Sequence, residues 1–338
     1  MQSFKTNDGI TLKYIDTASQ HDILLLIHGF TGSSAVWEKN IPTLARQYRV
    51  IAPDLRGHGE SDKPKHGFHV SRLAMDLREL MLHLGVHNNN RNVRALGGSL
   101  GCSILWSYAE LFTNVGFSHM IFVDQAPLQN STVDDGWDFR FCNRTMNSAS
   151  AVAALQTTLA LAPKKAHKGT VAACLAYRSH PLASEQVSLE TRRADEEFFV
   201  GEAMKGDGYW YGKLMEDHTG LDWRESIRSA FGADSGSKTR VLVVASSRSG
   251  CFPSAGPMKV VEFINEGNPD KLAKGVVTDT GGHWCYWEKP DEFNELAGLG
   301  LSFVGQHTRP VNFVTYRCDT HLLQHCIPLA NSHTRYRS

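Results

Sequence analysis

Apolar residues in this chain fall into short unbroken runs separated by stretches with helical spacing. Ile23-Leu24-Leu25-Leu26-Ile27 is continuously apolar, the mark of a strand covered on both faces, and His28-Gly29-Phe30-Thr31-Gly32 ends it. Ahead of it, two short strands flank Asp8-Gly9, a dipeptide that supplies the positive φ of a tight hairpin turn. Val36, Trp37, Ile41, Leu44 and Ala45 then recur at helical spacing, and Tyr48 to Ala52 reads as a further strand. A polar, Gly-rich loop lies between Pro53 and Pro64, after which Leu73, Leu77, Leu80, Met81 and Leu84 mark a second amphipathic helix. Val93 to Leu96 is a strand, Gly97 to Gly101 a sharp turn into a helix through about Phe112, and Met120 to Val123 a strand ending at Asp124. Strands alternating with helices predict a mostly parallel sheet covered on both faces.

From about Gln125 to Lys238 the alternation stops. This stretch holds the Ala-rich segment Ser148 to Ala162, the charged run Glu190 to Glu197 and the aromatic cluster Tyr209-Trp210-Tyr211, and reads as a helical insertion. The sheet pattern resumes at Arg240 to Val244, followed by a helix around Met258 to Asn265, a strand at Gly275 to Val277 and a last helix from about Pro290 to Phe303. The expected organisation is a core over 1–128, an insertion over 129–238, the rest of the core over 239–304 and an irregular extension over 305–338.

The chain has 338 residues, 41% of them hydrophobic and 21% charged, which is ordinary globular usage. Thirty-five basic residues balance 35 acidic ones, so no long-range field gathers nucleic acid or anionic lipid, and neither is an expected partner. Seven scattered cysteines without a C-x-x-C pair argue against a disulfide framework and for a reducing compartment. The N-terminus lacks an apolar signal region, no run is long enough to span a bilayer, and the last three residues are not a Ser-Lys-Leu peroxisomal address. These features point to an intracellular, cytoplasmic location.

Candidate chemistry sits at the ends of the expected strands. Gly97-Gly98-Ser99-Leu100-Gly101 is a G-x-S-x-G pentapeptide between a strand and a helix, where a sharp turn exposes a strained serine and small neighbours let strand and helix approach. A nucleophilic serine needs a base, and His283 of Gly281-Gly282-His283-Trp284 follows the last strand. His28-Gly29-Phe30 follows the strand that should neighbour the nucleophile strand. The backbone amides of Phe30 and Leu100 are therefore candidates for an oxyanion hole. His28 and His58 read as structural, and Cys102 as a buried small hydrophobe. Cys318, His321, His325 and Cys326 share a His-rich tail without the two clear ligand pairs of a zinc site, and no metal is expected.

In order along the chain, LLLIHGFTGSSAVW, VIAPDLRGHGESDKP, GGSLG, MIFVDQAP, VLVVASS and GGHWCYWEKPDEFN resemble the alpha/beta-hydrolase superfamily, in its esterase, lactonase and cofactor-free haloperoxidase branch. The resemblance covers roughly residues 2 to 304. It implies an eight-stranded sheet with a helical cap inserted after strand six. It also implies a catalytic acid after the strand at Val241 to Val244, but there the chain reads Ser246-Ser247-Arg248-Ser249-Gly250-Cys251-Phe252-Pro253, with Ser249 where an Asp is expected. Asp124, at the end of the strand beside the nucleophile strand, is the first replacement, since some branches take their acid from that point. Asp279 is a distant second, and Asp124 could instead cap a turn into the insertion.

The resulting expectation is a serine hydrolase of esters, lactones or thioesters, with Ser99 as nucleophile, His283 as base and Asp124 as acid. It needs no cofactor and acts on a small molecule. Ser99 in place of a carboxylate argues against the haloalkane dehalogenase and epoxide hydrolase branches. Carbon-carbon bond hydrolysis with the same triad stays open, as does a degenerate hydrolase that binds without turnover. Cap aromatics Trp137, Tyr209, Trp210, Tyr211 and Trp223 favour an apolar substrate or form the cap's own core. The overall style is similar to hydrolases of fungal secondary-metabolite clusters that make polyketide-derived toxins.

Overall fold

A computed structural model describes residues 1–86, 93–133 and 135–302. The extension over 305–338, with its Cys and His residues, lies outside the described residues, as does Phe303. Among the described residues the strands are β1 (Gln2–Lys5), β2 (Thr11–Asp16), β3 (Ile23–Ile27), β4 (Arg49–Pro53), β5 (Val93–Gly98), β6 (Phe117–Val123), β7 (Arg240–Ser246) and β8 (Ala273–Thr278). The helices are α1 (Ile41–Leu44), α2 (Val70–His83), α3 (Leu100–Phe112), α4 (Ala149–Leu161), α5 (Pro163–Cys174), α6 (Ala176–Ser179), α7 (Leu189–Ala203), α8 (Gly208–Gly220), α9 (Arg224–Phe231), α10 (Ala255–Asn265), α11 (Cys285–Glu288) and α12 (Pro290–Leu301). Among the described residues, no helix is long and apolar enough to cross a membrane.

The strands form one sheet in the order β1-β2-β4-β3-β5-β6-β7-β8. The hairpin β1-β2 and the pairing of β2 with β4 are antiparallel, and every other pairing is parallel. Gly9, at φ +85, makes the hairpin turn as its position beside Asp8 predicts. Alternate residues of the central strands enter opposite layers. Leu25, Ile27, Ala95, Phe122 and Val243 pack with α2, α3, α9 and α10, while Leu24, Leu26, Leu96, Ile121 and Val244 pack with Trp37, Trp284, Tyr286 and α12. This two-sided burial is why these strands are continuous apolar runs rather than alternating ones.

The helical pattern from Val36 to Ala45 is not one helix. A 3-10 turn covers Ser34–Trp37 and α1 starts only at Ile41, because Pro42 cannot donate a backbone hydrogen bond and restricts the residue before it. Asn40 sits at the break, buried, and its Nδ2 donates to Tyr286 O and Asn294 Oδ1, which ties the segment to α11 and α12. Between β6 and β7 the chain runs through α4 to α9.

The parallel strands all end on one edge of the sheet. Register pairs Ile27 with Gly97, Gly98 with Val123, and Val123 with Val244, so the segments after β3, β5, β6 and β7 emerge side by side. The parallel pairing of β7 with β8 adds the segment after β8, so that edge brings together residues from five separate parts of the sequence.

Candidate active site

Ser99 stands between β5 and α3 at φ 53 and ψ −118, a backbone conformation that non-Gly residues rarely adopt. Its amide donates to Val123 O and its carbonyl accepts from Cys102 N. Crowding explains the flanking glycines. A Cβ on Gly101 would lie 2.3 Å from Ile27 O, and one on Gly97 would lie 2.6 Å from Gly101 C. Neither position has room for a side chain.

Asp124, the first residue after β6, also has positive φ, at 49, which Asp tolerates better than most residues. Its side chain has no exposed surface. Oδ1 accepts from Ser246 N at 3.0 Å, and Oδ2 lies 2.7 Å from His283 Nδ1. The structure thus brings Asp124 and His283 together and does not use Asp124 to cap a turn into the insertion. Asp279 lies elsewhere: its carbonyl accepts from Arg248 Nη1, and the residue lines a different surface hollow with Glu185 and Arg248. Ser249 is buried, and its Oγ accepts from the amides of Cys251 and Phe252, so it closes its own loop.

The His283 loop is held by Glu288. Its Oε2 accepts from Gly282 N at 2.6 Å and its Oε1 from Ala176 N at 2.9 Å. Burial pushes the Glu288 carboxyl up to about 7, against the opposing pull of these amides. His283 itself is 4% exposed. Burial disfavours its charged form, but the neighbouring Cys251 sulfur and the Asp124 carboxylate outweigh that and raise its pKa. With Nδ1 directed at Asp124, Nε2 is the nitrogen left for chemistry.

Ser99 and His283 line one small cavity of ≈ 50 Å³. Phe30, Met146, Leu155, Met215, Phe252 and Trp284 give it an apolar wall, and Gln129, Asn143, Thr170, His218, Cys174 and Cys251 complete it. Leu100 is the first residue of α3, so its amide is among those without an intrahelical acceptor. Phe30 sits on the loop after β3, where a Cβ on Gly29 would lie 3.1 Å from Ser99 Cβ. Both backbone positions therefore adjoin the serine.

Trp137, Tyr209, Trp210, Tyr211 and Trp223, all between β6 and β7, do not line this cavity. Tyr211 packs on Phe30 and His58, Trp210 on Phe68 and Trp223 near Trp106; Trp137 Nε1 donates to Leu128 O, and Tyr209 is exposed. All but Tyr209 are packing residues, and the apolar wall comes mainly from methionines, leucine, phenylalanines and Trp284. His28 is structural as expected: Leu55 N donates to its Nε2 at 3.0 Å, so Nδ1 carries the proton toward Gly29 O. Cys102 is buried and its thiol donates to Gly97 O.

The sequence reading gave Gln125, His218, Cys174 and Cys251 no role at the site. Gln125 Oε1 is 3.5 Å from Ser99 Oγ, a long contact. His218 faces the cavity, buried, with Nδ1 unpartnered, and burial followed by the nearby His283 charge lowers its pKa to about 3. Cys174 and Cys251 place their sulfurs 3.7 Å apart beside His283. Only adjacency to Asp124 could have flagged Gln125; nothing local marks the other three.

Comparison with known proteins follows the same lines. The family model described as alpha/beta hydrolase fold matches residues 22–290. A soluble epoxide hydrolase of Corynebacterium sp. (strain C12) is 40% identical over 102 residues, 30% of this chain and 34% of that protein. The chain therefore spans well under half of that curated relative's length. Among solved structures, an esterase from Exiguobacterium antarcticum has a TM-score of 0.74 at 18% identity, over 89% of this chain and 99% of that one. A bromoperoxidase from Bacillus anthracis gives 0.73 at 18% identity, again over 89% and 99%. At these identities the structural likeness is one of fold.

Proposed function

This chain belongs to the alpha/beta hydrolase fold family, and from that premise we propose that it is a serine hydrolase cleaving an ester, lactone or thioester of a small apolar substrate through an acyl-enzyme on Ser99. The observation that carries this reading is the 2.7 Å contact between Asp124 Oδ2 and His283 Nδ1, both buried, beside a cavity that Ser99 also lines. The carboxylate fixes the tautomer that leaves Nε2 free. Neutral Nε2 takes the Ser99 proton as Oγ attacks the carbonyl carbon, and Asp124 stabilises the imidazolium that results. The amides of Phe30 and Leu100 receive the oxyanion, each donor being worth about 3 kcal/mol in the barrier. His283 then returns the proton to the leaving oxygen or sulfur, and water releases the acid by the same relay.

Ser99 Oγ rests near Gln125, and catalytic hydrogen bonds are commonly long until substrate tightens them. The Corynebacterium relative is named an epoxide hydrolase, but opening an epoxide by the usual alkyl-ester route needs a carboxylate nucleophile, and position 99 is serine. The carboxylate on His283 supports turnover over binding alone, because it stands in for the acid that Ser249 cannot supply. We extend the proposal to a cap formed by 129–238, an intracellular location and a role in toxin or polyketide biosynthesis, on the strength of the motifs and their resemblance. The cavity of ≈ 50 Å³ admits only a small acyl group unless the helices after β6 move.

The test is a panel of p-nitrophenyl acyl esters and lactones on the wild-type protein and Ser99→Ala. Hydrolysis by wild type and none by the variant is expected. Activity in Ser99→Ala within about tenfold of wild type would sink the mechanism.

A further inference from the structure

Three segments that are distant in sequence converge on His283, and two bring thiols. Cys174 ends α5, Cys251 follows the turn closed by Ser249, and His283 follows β8. Backbone hydrogen bonds fasten them to one another: Trp284 N donates to Cys174 O, and Gly250 N donates to Ala173 O. Cys174 is buried and Cys251 half-buried on the cavity wall. Their ligand atoms and that of His283 all lie within 4.8 Å of one another, with the two sulfurs 3.7 Å apart.

We propose that Cys174, Cys251 and His283 form a binding site for one thiophilic divalent cation, zinc in the first place, whose occupancy blocks His283. The metal site stands on this geometry alone; only its inhibitory consequence rests on the hydrolase reading above. Two thiolates and one imidazole with a free fourth position make a Cys₂His set, one that zinc accepts in tetrahedral coordination. On such an ion the ligand atoms stand roughly 3.5 to 3.8 Å apart, given metal-ligand bonds near 2.0 to 2.3 Å. The sulfur pair is already at that spacing. Asp124 supplies the outer partner: a carboxylate on Nδ1 orients the ring and leaves Nε2 basic, as in carboxylate-histidine-zinc arrangements.

Binding balances as one Zn²⁺ taken up and two thiol protons released to solvent, giving two Zn–S bonds, one Zn–N bond and no net charge on the ion with its two thiolates. That neutrality suits a site with little exposed surface. The Nε2 lone pair spent on zinc is the one that would accept the Ser99 proton. Zinc and turnover therefore exclude each other.

The experiment titrates Co²⁺ into the full chain, reduced and freed of metal by chelator. Wild type should develop thiolate-to-cobalt charge-transfer absorption and the visible bands of tetrahedral cobalt at one equivalent, with Zn²⁺ displacing the signal. Cys174→Ser/Cys251→Ser should lose that absorption and bind roughly 100-fold or more weakly, with its far-ultraviolet circular dichroism unchanged. If the double variant does not fold, Cys174→Ala and Cys251→Ala singly should each lose about half of the charge-transfer intensity, one of two thiolates. Equal absorption in wild type and variants would place the metal elsewhere, and no absorption in wild type would end the proposal. On whichever ester wild type cleaves, Zn²⁺ should inhibit stoichiometrically and EDTA should restore the rate. A cobalt spectrum without hydrolysis in the metal-free protein leaves the metal site and removes the hydrolase; hydrolysis without a cobalt spectrum does the reverse.

Discussion

Asp124 and His283, 159 residues apart in sequence, meet at 2.7 Å between Oδ2 and Nδ1, at the carboxyl edge of the sheet. Asp124 keeps its other oxygen on Ser246 N, so the carboxylate is clamped from two sides. Asp124→Asn can keep the Ser246 bond but turns an NH2 toward Nδ1, which favours the wrong imidazole tautomer. A comparable change in a serine protease triad costs about 10⁴ in kcat, and a loss of that order is expected here with little change in KM. Steady-state kinetics on an ester that wild type cleaves decide it; a loss under about tenfold would remove Asp124 from the acid role.

Ser99→Ala should abolish labelling by a fluorophosphonate probe, which reacts with activated serines. Cys102, three residues on, cannot substitute, because its buried thiol is engaged with Gly97 O and burial pushes its pKa up. Gel fluorescence and intact mass report the outcome. Labelling retained in the variant would place the reactive group elsewhere.

Glu288 links the His283 loop to pH. Its pKa, ordinarily 4.5, stands at about 7 in the folded protein, because burial outweighs the amides of Gly282 and Ala176. Between those values the folded state keeps a proton that the unfolded chain has lost. This group's contribution to stability is therefore greatest below the lower value and falls as pH rises through the upper one. The difference in unfolding free energy between wild type and Glu288→Gln should shrink by about 2 kcal/mol from pH 4.5 to pH 7, a figure reduced for partial exposure. Urea melts across that range test the sign, and a difference that grows with pH would refute it.

Arg56 is fully buried in the polar loop after β4 and pairs with Asp76 at 2.8 Å and Asp8 at 2.7 Å. Arg56→Leu would leave Asp76, itself 3% exposed, with Arg72 as its remaining partner. A loss of about 3 kcal/mol is expected, at the low end for a broken buried pair because Arg72 stays. Arg56→Lys should recover only part of it, since an ammonium cannot span both carboxylates as the guanidinium does. Thermal unfolding of the three proteins is the measurement, and a Leu variant as stable as wild type would contradict it.

Local patterning carried the scaffold. The apolar run Ile23–Ile27 could only be a doubly covered strand, Asp8-Gly9 a hairpin turn and Gly97 to Gly101 a tight strand-to-helix junction, because each depends on neighbours in the chain. With strands and helices alternating, the right-handed crossover rule and parallel pairing leave few ways to order the sheet. Ser99 and His283 were legible for the same reason: each lies just beyond a recognisable strand. Pro42 broke a helix that apolar spacing alone predicted, since spacing reports burial and not the missing amide.

Tertiary structure decided what no single segment contains. Asp124 and Asp279 both lay within reach on paper, and only the pairing of β5, β6 and β7 directs Asp124 at His283 while Asp279 turns toward Arg248. Trp210 and Tyr211 were equally apolar as wall or as packing, and their place on α8, against Phe68 and Phe30, made them packing. The meeting of Cys174 with Cys251 beside His283 depends on a helix end and two loops fastened by backbone hydrogen bonds across the fold. A residue's type and its neighbours set what it can do chemically. Which partner it meets depends on side-chain distances of a few ångströms, and those are fixed by long-range packing that sequence periodicity does not encode.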